Sequence, residues 1–350
     1  MKIELKISCV IFSLFCFFKI QSQYKIEKID FISANPYTFN DIITNIDNQE
    51  KQKVYGKLVI PKDSTSNSKK YPLVIGVAGS LGWAEHHYQY LEMYQEMGIA
   101  TFELNSFKSR GITSTVGTQN KITMAAMILD AYKALEELSK HPNIDKNRVS
   151  ITGWSLGGGV TLFSAWLPLK EAINKELSFA SHLAFYPPCF INPDNTNFSN
   201  SPIHILIGEL DDWTPSAPCH DLVKKLKKKS NINLTVYKNS YHSFDRESPV
   251  TRNEGAYNFS DCIFRLDEQG NVLMNYFNIP MSNPFLQKIG FMMCVSRGVS
   301  IGGNSEAREK SFNFSKNFMK KTILNPRELD LDKFLFLNLQ LNGNFYLSHP

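Results

Sequence analysis

The sequence predicts an α/β protein: a mostly parallel central sheet with helices on both faces. Short continuous apolar runs recur along the chain, among them YPLVIGV (71–77), IATFEL (99–104) and IHILIG (203–208). Strands covered on both faces read this way. Stretches of helical pattern lie between them, the longest being KITMAAMILDAYKALEELSK (121–140). Such alternation is the signature of crossover-connected parallel strands.

The elements follow in order. KVYGKLVIPK (53–62) alternates apolar and polar residues, as a half-buried strand does, and DSTSNSKK (63–70) reads as a solvated loop. After the strand at 71–77, HHYQYLEMYQEMG predicts a helix that closes on Gly98. A strand at 99–104 leads to the helix at 121–140, halted by His141 and Pro142. RVSITGW (148–154) is a strand, and VTLFSAWL (160–167) begins a helix just after it. HLAFYP, IHILIGE and NLTVYKN are three further strands, with a lysine-rich helix before the last. Residues 243–303 break the pattern, being rich in Asn, Gly, Ser and Pro, and are expected to form an irregular insertion or cap. SEAREKSFNFSKNFMKKTI (305–323) predicts a closing helix, which leaves 324–350 as a tail without a predicted partner. One domain spanning 23–323 follows.

Bulk composition agrees. With 350 residues, 43% of them hydrophobic and 20% charged, the chain can bury a large core, and disorder over most of its length is excluded. The net charge is +5, of which Lys2, Lys6 and Lys19 against Glu4 supply +2, leaving +3 on the rest. The one dense basic run, DLVKKLKKK (221–229), has no interleaved aromatics and reads as the wet face of a helix. No nucleic-acid partner is expected.

The N-terminus has the layout of an address label. Lys2 and Lys6 precede the apolar run ISCVIFSLFCFF, and the polar KIQSQ follows. The run is too short for a comfortable membrane span and matches a secretory signal peptide over residues 1–22, with cleavage near Ser22 and Gln23. An uncleaved anchor and a buried core element are the alternatives, and a membrane association is expected only in the uncleaved case. Secretion or a periplasmic location follows from the first reading. Cys9 and Cys16 fall inside this leader, which leaves Cys189, Cys219, Cys262 and Cys294. An even count in an exported chain favours disulfides. No CxxC or HxxxH spacing argues for a metal, and none is expected.

RVSITGWSLGGGV (148–160) is the most informative stretch. A strand runs into Gly153-Trp154-Ser155-Leu156-Gly157, and a helix follows, the context that G-x-S-x-G needs to act as a nucleophile elbow. The serine sits on a sharp turn where neighbouring side chains would collide, hence the glycines. An isolated hydroxyl is a weak nucleophile and needs a base oriented by an acid. In chain order the acid and then the base should follow later strands. Asp211 and Asp212 stand just after the strand at 203–208, and His242 just after the strand at 233–237. Asp211, three residues beyond Gly208, is the expected acid, and Asp212 the alternative, otherwise bracing the turn. The oxyanion donors are expected to be the backbone N–H of Leu156 and that of Ser80, or less favourably Leu81, in VIGVAGSLGW.

These residues resemble the dienelactone-hydrolase-like branch of the α/β-hydrolase family. The match lies in AGSLGW, NSFKSRG, GWSLGGG, GELDDWTPSAPC and YHSFD, between about Tyr71 and Asp245. The resemblance implies the α/β-hydrolase fold and cleavage of a small-molecule ester or lactone, with no metal and no organic cofactor. It supports Asp211 through the spacing of Gly208, Asp211 and Pro215. Two departures stand out: Ser155 replaces the cysteine nucleophile of the founding members, and Ala78 stands where many α/β hydrolases have histidine. Arg110 in NSFKSRG is expected either to bind a substrate carboxylate or to hold its loop by a salt bridge. Cys189 and Cys219 resemble positions that bridge two loops, and Cys262–Cys294 would pin the insertion. Trp154 and Trp213, beside the nucleophile and the acid, either line an acyl pocket or belong to the core. A prolyl-oligopeptidase-type peptidase shares the triad order but usually carries a large N-terminal propeller. A non-catalytic binding protein on the same scaffold should have lost a member of the triad, and none is missing.

Overall fold

A computed structural model describes residues 24–61 and 69–325. The expected leader at 1–22 lies outside these residues, and of the tail only Leu324 and Asn325 lie inside. In chain order the strands are β1 (Tyr24–Ala34), β2 (Lys51–Pro61), β3 (Tyr71–Val77), β4 (Ala100–Leu104), β5 (Ile144–Trp154), β6 (Ser181–Phe185), β7 (Ile191–Pro193), β8 (Ile203–Gly208), β9 (Ile232–Tyr237), β10 (Thr251–Asn258), β11 (Phe264–Leu266), β12 (Val272–Leu273) and β13 (Ser296–Ile301). Eight of them form one sheet in the order β1-β2-β4-β3-β5-β6-β8-β9. The six from β4 to β9 along this order run parallel, while β1 and β2 form an antiparallel ribbon at one edge. The buried runs sit where a two-sided sheet requires them: every residue of β3, β4 and β6 is buried.

The helices are α1 (Phe39–Asn45), α2 (Glu85–Glu96), α3 (Met124–Leu138), α4 (Leu156–Phe163), α5 (Leu167–Ile173), α6 (Ser216–Leu226), α7 (Pro284–Met292) and α8 (Ser305–Met319). Local chemistry sets their starts. Thr38 accepts a hydrogen bond from the Asp41 amide while the Asp41 carboxylate accepts one from the Thr38 amide, a reciprocal cap. Thr123 and Asn304 cap α3 and α8 through their side-chain oxygens. The lysine-rich α6 buries Cys219, Leu222, Val223 and Leu226 and leaves Lys224 and Lys225 to solvent, the amphipathic face expected of it.

Two regions differ from the sequence reading. The stretch ahead of β2 holds a full strand and α1, neither of which was anticipated. Ile26 and Ile32 on β1 face solvent, which blurs its alternation. Residues 243–303 are not irregular throughout. β10 pairs with β13, β11 with β7 and β12, and α7 lies between them, so the segment is a small cap with its own hydrogen-bonded frame. A disulfide between Cys262 and Cys294 closes it, and a second joins Cys189 to Cys219. Cross-links of this kind persist in oxidising compartments. Among the described residues no helix is long and apolar enough to cross a membrane.

Candidate active site

Four strand ends meet at one edge of the parallel sheet, the carboxyl edge where ligands bind in open α/β folds. β5 delivers Ser155, the turn after β8 delivers Asp211, the loop after β9 delivers His242, and the loop after β3 delivers Ser80. Ser155 stands at the junction of β5 and α4 with φ +57° and ψ −116°, a backbone conformation that costs a non-glycine residue about 1–3 kcal/mol. Its neighbours must be glycine for want of room. A Cβ on Gly153 would come within 2.2 Å of the Gly157 carbonyl oxygen, and one on Gly157 within 2.2 Å of the Val77 carbonyl oxygen.

The three side chains lie in a line. His242 Nδ1 is 2.8 Å from Asp211 Oδ2, and His242 Nε2 is 3.0 Å from Ser155 Oγ. All three are buried. The second oxygen of Asp211, Oδ1, accepts hydrogen bonds from the Trp213 and Thr214 amides at 3.0 and 2.8 Å, which fixes the plane of the carboxylate. With the Nδ1 proton turned to that carboxylate, Nε2 presents its lone pair to the serine hydroxyl. The ring of Trp213 lies 4.8 Å and that of Tyr186 4.6 Å from the imidazole, centroid to centroid, so the ring is gripped as well as hydrogen-bonded. Thr214 adds a polar brace, its Oγ1 lying 3.1 Å from His242 Nδ1 and 2.9 Å from the Tyr186 carbonyl oxygen. Asp212 is elsewhere: its Oδ1 accepts the Ser300 amide at 2.8 Å and anchors β13.

Leu156 is the first residue of α4, and the amides of a first helical turn have no acceptor within their own helix. Ser80 follows Gly79, whose absent side chain leaves room for the loop against Ser155. A Cβ there would lie 3.2 Å from that of Ser155. The Gly79 carbonyl is tied to the Gly82 amide at 2.9 Å. In a trans peptide this turns the Ser80 N–H out of the turn. Both expected donors therefore flank Ser155, and both residues line the same cavity as it does.

That cavity has a volume of about 150 Å³. Its floor is Ser155, Leu156 and Trp213, and its walls come from α1, α3, the loop after β6, and the cap. A narrower cleft of about 20 Å³ lies beside Ser155, bordered by His242, Ser243 and Arg246. The sequence reading missed Arg246, Thr214 and Tyr186. A signal existed only for Tyr186, which follows the end of β6 directly.

Two expected substrate contacts are placed differently. Arg110 does not reach the cavity. Its five N–H donors are all used: two meet Asp130 at 2.7 and 3.0 Å, and the others meet Asn35 Oδ1 and the carbonyls of Ser106 and Ala34. It clasps β1 to α3, the salt-bridge alternative. Trp154 is wholly buried, with His87 stacked 4.4 Å and Phe185 5.4 Å from it. It belongs to the core and borders only the narrow cleft. Trp213 lines the cavity.

Behind His242 lies a buried polar cluster. Tyr186 donates its phenolic hydrogen to Asp245 Oδ1 at 3.0 Å, and His86 Nε2 stands 3.8 Å from the same oxygen. Burial pushes the Asp245 carboxyl up to about 6 and holds His86 down to about 2. Among the described residues no three His, Cys, Asp or Glu side chains gather as a metal site.

Comparison with known proteins agrees with the fold. A solved structure known as m3DLH aligns over 86% of this chain and 99% of its own, at 14% identity and a TM-score of 0.52. A dienelactone hydrolase-like promiscuous phosphotriesterase from metagenomic libraries aligns over the same shares at 14% identity and a TM-score of 0.49. No curated protein sequence matches. The dienelactone hydrolase family model matches residues 92–260, the stretch that holds Ser155, Asp211 and His242. The chain has the α/β-hydrolase fold, and over the matched residues it resembles the dienelactone-hydrolase-like branch of that family.

Proposed function

We propose that the chain is a serine hydrolase that cleaves a carboxylic ester or lactone through an acyl-enzyme. Ser155 is the nucleophile, His242 the general base and Asp211 the acid that orients it. His242 Nε2 takes the hydroxyl proton as Ser155 Oγ attacks the carbonyl carbon. Asp211 holds the Nδ1 proton and stabilises the imidazolium. The carbonyl oxygen, now an anion, rests on the N–H groups of Leu156 and Ser80; one such donor contributes about 3–4 kcal/mol to the transition state. The imidazolium then gives its proton to the leaving oxygen. Water, deprotonated by the same nitrogen, attacks the acyl carbon and frees Ser155 with the acid product.

The observation that carries this reading is the continuous Asp211–His242–Ser155 line at 2.8 and 3.0 Å, ending on a serine held at positive φ. Export belongs to the same proposal, with residues 1–22 as signal peptide and 23–323 as the catalytic domain. The two disulfides support an extracellular or periplasmic location. The test uses chain beginning at Gln23, wild type and Ser155→Ala, treated with a fluorophosphonate probe and a short-chain p-nitrophenyl ester. Wild type should take the label and turn over the ester, and the variant should do neither. A folded wild type that takes no label refutes the proposal.

A further inference from the structure

The large cavity and the narrow cleft divide the two halves of an ester between them. Whichever group leaves must lie within reach of His242 Nε2, which protonates it. His242 borders the cleft and is not among the residues lining the cavity, whereas Ser155 and Ser80 border both spaces and Leu156 borders the cavity alone. The acyl group, which stays bonded to Ser155 Oγ, is therefore the part that faces the cavity.

The cavity's chemistry identifies what it accepts. Phe39, Phe190, Phe259, Phe264, Phe291 and Met281 are prominent among its apolar lining residues. Its polar side chains are already engaged with one another or with backbone. Tyr37 donates to Gln287, Gln287 donates to the Gln119 carbonyl at 3.2 Å, and Ser80 Oγ donates to Gln119 Oε1 at 3.1 Å. Among the described residues no charged side chain lines it. A polar or ionic acyl group would lose its water there and gain no partner. An apolar cavity of about 150 Å³ is the size that holds one benzene ring in a well-studied engineered protein.

We infer that the cavity is an acyl-binding pocket selective for an apolar group of about six carbons, straight-chain or aromatic. The inference rests on the serine-hydrolase reading. Fully burying a methylene corresponds to about a fourfold gain in binding.

The experiment measures kcat/KM for p-nitrophenyl esters from acetyl to dodecanoyl, beside fluorophosphonate labelling of Ser155. The expected profile rises about 10- to 200-fold from acetyl to hexanoyl and gains nothing further beyond about octanoyl. Ala125→Leu narrows the cavity and should lower the hexanoyl-to-acetyl ratio about tenfold. Phe259→Ala widens it and should move the plateau to longer chains, so that either variant suffices if the other does not fold. With Ser155 labelled, a flat profile, an acetyl optimum or no turnover of any ester overturns the pocket assignment and leaves the nucleophile standing. Absence of labelling overturns the hydrolase reading itself, and the pocket with it.

Discussion

Ser155 and the cap border the same cavity, but the Ser155–His242–Asp211 line and the cap are held by opposite means. Ser155, Asp211 and His242 stand on the ends of central strands, tied by hydrogen bonds that specify angles as well as distances. The cap at 251–301 has strands of two to eight residues, a nine-residue helix and a cross-link, and it contributes apolar surface, which fills space without specifying direction. Chemistry that needs a proton placed to a fraction of an ångström is built on the sheet. Selection by size and polarity is left to the region that can be repacked. The comparison predicts that changes on the sheet side remove activity outright, while changes on the cap side redistribute it among substrates.

The largest effect should come from Ser155→Ala, with a loss of ester turnover of about 10⁴-fold or more and an unchanged circular dichroism spectrum. Residual activity within tenfold of wild type would mean that another group attacks. Asp211→Asn should come next. It keeps the shape but reverses the preferred tautomer of His242, and kcat should fall about 10³- to 10⁴-fold. A drop confined to KM would separate Asp211 from the base it contacts.

On the cap side, replacing Cys262 and Cys294 together by serine frees a loop with a sequence separation of 32. The chain-entropy account gives a loss of about 3–4 kcal/mol, read as a lower denaturant midpoint. Fluorophosphonate labelling of Ser155 should persist while discrimination between acyl chains weakens. Equal loss of labelling and discrimination would show that cap and triad are one unit.

The smallest effect concerns the polar cluster beneath His242. Because burial raises the Asp245 carboxyl to about 6, the folded chain binds a proton there that the unfolded chain has already released. Its contribution to stability is therefore greatest below about pH 4 and is lost as pH rises toward 6, on the order of 3 kcal/mol in all. The buried His86, held down to about 2, acts in the opposite direction, losing stability as pH falls below its ordinary range. Comparing melting temperatures of wild type and Asp245→Asn across pH 4–7 isolates the first of these. Parallel curves would show that Asp245 does not titrate in this window.

The strands of the sheet and the residues at their ends were legible because each is announced locally. Gly153 to Gly157 declare a turn that little else can make, and Asp211 and His242 stand within five residues of strands recognisable from a continuous apolar run. The cavity walls were not legible. Phe39, Met124, Phe190, Phe264 and Phe291 converge from segments up to 252 positions apart, and a phenylalanine facing a cavity looks the same in sequence as one facing the core. Trp154 shows the converse, adjacent to the nucleophile yet pointing into the core. Arg110 was readable only as a pair of alternatives, because its partners Asn35 and Asp130 lie 75 and 20 positions away.

The cap departs and returns at a single point. Thr251, which opens it, pairs with Ile301, which closes it, and Gly302 donates to the His242 carbonyl oxygen at 3.0 Å. Everything between those residues is an excursion whose two ends are already stitched together beside His242. Segments with adjoining ends accept gain or loss of length at little cost to the scaffold. Descendants of this chain can thus lengthen, shorten or exchange the excursion, trading one set of small-molecule substrates for another, without asking His242 to move.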